Sequence, residues 1–143
     1  MNRSLLYACD AAVDQAYRGS GAAVVVRTTD GQIVATSVCF LAGMTNNEAE
    51  YAAFILGLQL ALARAERWPI FLSDSQIMVG QIAGRFAVRD AKLQPYHICA
   101  RRLLAHLPEA ILVFTPRQYN QMADALAKET LRAGLAKRAR EKQ

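Results

Sequence analysis

Histidine and cysteine are both scarce, with two histidines and three cysteines in 143 residues. The cysteine count is odd and no CxxC pair occurs, which excludes a disulfide framework and a cysteine-based zinc site. Cys9, Cys39 and Cys99 are therefore expected as small buried apolar groups in a reduced setting. The N-terminal stretch MNRSLLYACDAAVD has no apolar core of the kind a secretory leader carries. No apolar run approaches the roughly 18 residues that a membrane span requires. A cytoplasmic protein with no membrane partner is the expectation. Four prolines and eight glycines form no linker and no low-complexity segment, so the length reads as one domain.

What is present is a core. Hydrophobic residues make up 53% and charged residues 20%, the balance of a globular chain rather than a disordered one. The formal net charge is +5, and the last seven residues, KRAREKQ, hold four positive groups and one negative. The body is thus only mildly basic. Residues 1–135 are expected to fold, with 136–143 as a basic tail. Such a run reads either as a solvated or frayed helix end or as a nucleic-acid contact.

The segment LLYACDA (5–11) is a short apolar run closed by Asp10, the pattern of a strand buried on both faces. GAAVVVRT (21–28) and QIVATSVCF (32–40) flank TTDGQ, where Asp30-Gly31 is a short hairpin signal, so an antiparallel meander opens the chain. Ala- and Leu-rich, proline-free sequence from Asn46 to about Ala65 predicts a long helix, apolar on nearly all sides and hence largely covered. WPIFLSD (68–74) reads as a strand, SQIMVGQIAG as a short helix, Lys92 to His106 as another, and AILVFTP (110–116) as the last strand. A final amphipathic helix covers NQMADALAKETLRAGLAKRAR. Strands separated by helices run parallel through right-handed crossovers. The fold class is α/β, a mixed five-stranded sheet (an antiparallel meander of three strands, then two parallel strands) with helices on both faces.

Four acids stand out. Thr45 and Glu48 match a capping box, which gives Glu48 a structural task. Glu50 lies about 200° around the helix from Glu48 and shares a face with Asn46 and Asn47. Asp10 and Asp74 each close a strand, and ligands of open α/β sheets bind outside the carboxyl ends of strands. Asp124 lies one turn into the last helix, after Asn120 as the expected N-cap. Four carboxylates in one crevice repel one another unless divalent cations neutralise them. Oxygen-only ligands point to Mg²⁺ or Mn²⁺, and two such ions can clamp the attacking and leaving oxygens of a phosphoryl displacement.

The order strand-Asp, TNN with Glu50 beyond it, SDSQ, and PRxxNxxAD followed by LA resembles type 1 ribonuclease H over about residues 5 to 130. The resemblance implies that Glu50, not Glu48, is catalytic. It implies that Asp10 and Asp74 bridge two Mg²⁺ or Mn²⁺ ions bound with substrate, Asp124 completing one and Glu50 the other. It also implies cleavage of the RNA strand of an RNA/DNA hybrid to 3′-hydroxyl and 5′-phosphate ends. Asn46, Asn47 and Gln76 match family positions that reach the minor groove, where amides can read the 2′-hydroxyl. Thr45 matches a position that can touch a DNA-strand phosphate.

Three features depart from the family pattern. Ala11 follows the first acid where the family has glycine and a Pro/Gly-rich loop, and Asp14 is expected in that loop. A short connection with Arg85, Arg89 and Lys92 replaces the basic, Trp-rich protrusion, as in the compact archaeal and bacterial subgroup. The loop FTPRQYN carries no histidine, and Arg117 stands there as a candidate phosphate ligand. His97 and His106 are expected on a helix surface, and Met44, Met78, Met122 and Trp68 in or at the edge of the core. A monomer is expected. Two alternatives stay open: a hybrid-binding module without catalysis, and a DNA-directed nuclease of the same fold.

Overall fold

Ten elements are seen in a computed structural model that describes residues 4–142, one of them a short 3₁₀ turn at Arg117–Tyr119. The first three are strands β1 (Leu6–Asp14), β2 (Gly19–Arg27) and β3 (Ile33–Ala42), followed by helix α1 (Asn46–Ala63) and strand β4 (Ile70–Ser73). Helices α2 (Gln76–Ile82) and α3 (Gln94–Leu104), strand β5 (Ile111–Phe114) and helix α4 (Gln121–Glu141) complete the chain. The sheet order is β3-β2-β1-β4-β5; β1–β2 and β2–β3 are antiparallel, β1–β4 and β4–β5 parallel. This is the expected meander followed by two parallel strands.

Period-two alternation along β1 assigns its residues to two layers. Tyr7 and Cys9 face one layer with Tyr51, Phe54 and Leu58 of α1, while Ala8 faces the other with Ala123 of α4. Helix α1 has no favoured solvent face because it is covered by the sheet on one side and by α3 on another. Its start is fixed by the predicted capping box: Glu48 N–H donates to Thr45 Oγ1 at 3.2 Å and Thr45 N–H donates to Glu48 Oε1 at 3.0 Å. On the opposite face α4 lies almost against the backbone of β2, because a Cβ at Gly21 would stand 2.4 Å from Ala127 O and 2.7 Å from Leu131 N.

The β2–β3 hairpin turns, as expected, at Asp30-Gly31, on a three-residue tip: Thr28 N–H donates to Gln32 O at 2.9 Å, and Gly31 adopts φ +95°, a bulged tip that favours glycine. Several other local expectations are revised. Asp14 ends β1 instead of lying in a loop, because β1 and β2 stay paired as far as Asp14 and Gly19. Cys9 is buried, but Cys39 is only half-buried and Cys99 is exposed. Met122 is 50% exposed and lies outside the core. His97 is half-buried, its Nδ1 3.2 Å from the Tyr51 hydroxyl. Helix α4, by contrast, ends at Glu141, within one residue of the predicted helix; Gln143, the last residue of the basic tail, lies outside the described residues.

Candidate active site

Parallel pairing of β1 with β4 joins Leu6 to Ile70, Tyr7 to Phe71 and Ala8 to Leu72. Carried two residues further, that register sets Asp10 beside Asp74; Asp74 lies just past the carboxyl end of β4, whereas Asp10 is in the middle of β1 and does not close it, because β1 stays paired with β2 as far as Asp14. Glu50 enters from the first turns of α1, and its Oε1 accepts the Ala11 N–H at 3.1 Å. That bond ties the helix acid to the residue after the strand acid. The result is that Asp10, Glu50 and Asp74 each offer a carboxylate oxygen, all within 4.8 Å of one another.

Asp124 lines the same cavity, of about 420 Å³, with Asn46, Ser75, Arg117 and Lys128. Its carboxylate is held by Lys128, Nζ to Oδ2 at 3.0 Å, one helical turn on. Arg117 Nε stands 3.8 Å from Asp74 Oδ2, an ion-pair separation too long for a hydrogen bond. The two cations therefore balance the rim of the cavity and not its centre. Thr45 acts as a helix cap, Asn47 is half-buried, and Gln76 is exposed at the start of α2; none of these three lines the cavity.

The electrostatics follow from burial and crowding. Burial is the largest influence on Glu50, and with the neighbouring charges of Asp10 and Asp74 it lifts that carboxyl to about 9. Asp10 rises to about 7 through burial and then the charges of Asp74 and Asp124. Asp74 is also raised, burial outweighing the Arg117 guanidinium. Its Oδ2 is buried without a hydrogen-bond partner among the described residues. Crowded carboxylates, oxygen-only donors and an orphaned buried oxygen fit a hard divalent cation.

Two site residues were not singled out in the sequence, and the role of a third is corrected. Ser75 lines the cavity and caps α2, accepting Met78 N–H at 3.2 Å. Lys128 was legible only as the base four residues after Asp124. Asn120 corrects an assigned role: its side chain does not cap α4 but is buried, with Nδ2 donating to Cys9 O at 3.0 Å. That bond fastens the start of the Asp124 helix to the peptide preceding Asp10.

A sheet of this order, with acids from the middle of β1, the start of α1 and the residue after β4 meeting where β1 and β4 run parallel, is the ribonuclease H fold. The chain belongs to the reverse transcriptase-like family, a family of ribonuclease H type whose model matches residues 8–130. Ribonuclease HI of Halobacterium salinarum is 36% identical over 107 residues, 75% of this chain and 54% of that protein. The N-terminal RNase H domain of a Mycobacterium tuberculosis protein superposes with a TM-score of 0.85 at 28% identity, covering 96% of this chain and 99% of the solved one. RNase H1 from Halobacterium salinarum superposes with a TM-score of 0.82 at 29% identity, covering 93% and 99%. The chain spans about half the length of the curated Halobacterium relative. No helix among the described residues is long and apolar enough to cross a membrane.

Proposed function

We propose that this protein is a metal-dependent endoribonuclease that cuts the RNA strand of RNA/DNA hybrids, leaving 3′-hydroxyl and 5′-phosphate ends. The observation that carries this reading is the meeting of Asp10, Glu50 and Asp74 within 4.8 Å, with Asp124 in the same cavity. It is supported by the similarity to ribonuclease HI and RNase H1. Asp10, Glu50 and Asp74, with Asp124 in the same cavity, would hold the Mg²⁺ or Mn²⁺ ions. The chemistry supplied by those ions is a clamp on the attacking and leaving oxygens of an in-line displacement.

The chain's own groups do the rest. Glu50 is oriented by the Ala11 N–H, so its carboxylate needs no reorganisation when it gives up its proton to bind. Arg117 and Lys128, both largely exposed at the rim, exchange their acids for phosphate oxygens of the RNA strand. Asn46 on the rim, with Asn47 and Gln76 beyond it, offers donor and acceptor groups to the 2′-hydroxyl. Thr45 adds a DNA-strand phosphate contact to its capping role. A monomer in the cytoplasm completes the reading.

The test is cleavage of a strand-labelled hybrid in Mg²⁺, Mn²⁺ or EDTA by wild type, Glu50→Gln and Glu48→Gln. Metal-dependent cutting of RNA alone is expected, lost in Glu50→Gln and largely kept in Glu48→Gln, which removes only part of a capping box. Cutting of the DNA strand, or a dead Glu48→Gln beside an active Glu50→Gln, overturns the assignment. Retained hybrid binding with no cutting in any metal leaves the catalytically silent binding module as the better account.

A further inference from the structure

Beyond the acidic cavity, the two elements that form its walls continue into a second groove of opposite charge. Residues 10–13 of β1 line the cavity, and Asp14, Ala16, Tyr17 and Arg18 line a groove of about 560 Å³. Helix α4 repeats the pattern, with Asp124, Lys128 and Leu131 on the cavity and Leu135, Arg138 and Lys142 on the groove. These positions step by four and three, so they form one face of the helix. Cavity and groove are thus lined by consecutive stretches of the same two segments of the chain.

The groove is built rather than incidental. Arg138 donates to Arg18 O at 2.9 Å and to Tyr17 O, and packs over the Phe40 ring. Asp14 Oδ1 accepts the Tyr17 N–H at 3.0 Å. The turn is thereby held from both sides while the Tyr17 side chain stands 69% exposed. Arg18, Arg138 and Lys142 face a single acid, Asp14, and none of the three cations forms an ion pair among the described residues.

We propose that this groove is a second nucleic-acid contact, binding the sugar-phosphate backbone of the hybrid away from the cut. The inference rests on the reading of the acidic cavity as a hybrid-cleaving site. At 1.5 Å per residue, Arg138 and Lys142 lie about 21 and 27 Å along α4 from Asp124. With one phosphate per strand every ~3.4 Å of duplex, that is roughly six to eight base pairs. Arginine, lysine and the tyrosine hydroxyl are all phosphate donors that carry no base preference. The groove supplies at the tail end of the molecule some of the cationic surface that the short α2–α3 connection lacks.

The test compares Arg18→Gly/Lys142→Gln with its parent, both in a Glu50→Gln background so that the RNA survives in Mg²⁺. Arg18 has φ 53°, so glycine removes its charge without straining the turn, and an unchanged melting temperature checks the fold. Binding is read by fluorescence anisotropy on hybrids of about 6 and about 20 base pairs across a salt series. On the long hybrid the variant is expected to bind about tenfold more weakly, with a log–log salt slope shallower by about two. On the short hybrid the two proteins should bind alike. Equal affinity on the long hybrid overturns the groove, as does an equal loss at both lengths. If the parent binds neither hybrid, the groove falls; wild-type cleavage of the hybrid then decides whether the nuclease reading falls with it.

Discussion

Glu50 bears the largest electrostatic cost in the cavity, and its sign makes a prediction. Its carboxyl is lifted from an ordinary 4.5 to about 9, and that of Asp10 from 3.8 to about 7, burial leading in both. Between those limits the folded protein holds protons that the unfolded chain has released. Stability therefore falls as pH rises through the window. In EDTA the melting temperature should drop steadily from about pH 5 to pH 9. Glu50→Gln, neutral throughout, should flatten that decline and melt above wild type at pH 8. Thermal melts in EDTA across that range check it, and a wild-type curve that rises with pH would show that the acids are stabilised by partners not identified here. The four acids were legible in the sequence because each carboxylate sits at a recognisable point, Asp10 on an apolar strand run, Asp74 just past a strand end, and Glu50 and Asp124 near helix starts. The role of Asn120 was not. Its partner, Cys9 O, lies 111 residues away, and a residue that suits an N-cap by type gives no sign that its side chain turns inward.

At the level of the elements, the site depends on how closely α4 lies on β2. Gly21 allows that contact, since any Cβ there meets Ala127 O and Leu131 N within 2.7 Å, and backbone cannot move aside as a side-chain tip can. Gly21→Ala should lower stability by about 1–3 kcal/mol, read from urea unfolding. Because α4 carries Asp124 and Lys128, the same substitution should also weaken metal binding measured by calorimetry. Gly31→Ala is the control: it strains a turn at φ +95° but has open space around it, so stability should fall with metal affinity intact. The order of elements was readable from β-branched runs, the Asp30-Gly31 turn and the Thr45 cap. Boundaries were less so. Strand β1 outruns its apolar pattern because pairing with β2 continues past it, whereas the predicted end of α4 falls within one residue of Glu141. The strand end depends on a contact between two segments, which local composition does not encode.

The whole molecule sets a net charge of +5 around a cavity where four acids meet only two rim cations, Arg117 and Lys128. A basic surface draws a polyanion in, while the cavity itself repels phosphate until divalent charge enters it. A cation that binds the folded state alone stabilises it by about 2.7 kcal/mol at one hundred times Kd, or roughly 6–10 °C for a chain of this size. The gain should grow with pH. Glu50 and Asp10 must lose their protons to bind, so Mg²⁺ or Mn²⁺ should raise the melting temperature more at pH 8 than at pH 6, where both still hold them. Metal should therefore offset the alkaline loss of stability expected in EDTA, and the two curves should diverge as pH rises. Differential scanning fluorimetry at both pH values, with wild type, Asp10→Asn and Asp74→Asn, decides the matter. A metal-induced rise that is as large at pH 6 as at pH 8, or that survives in both variants, would place the ion away from these acids.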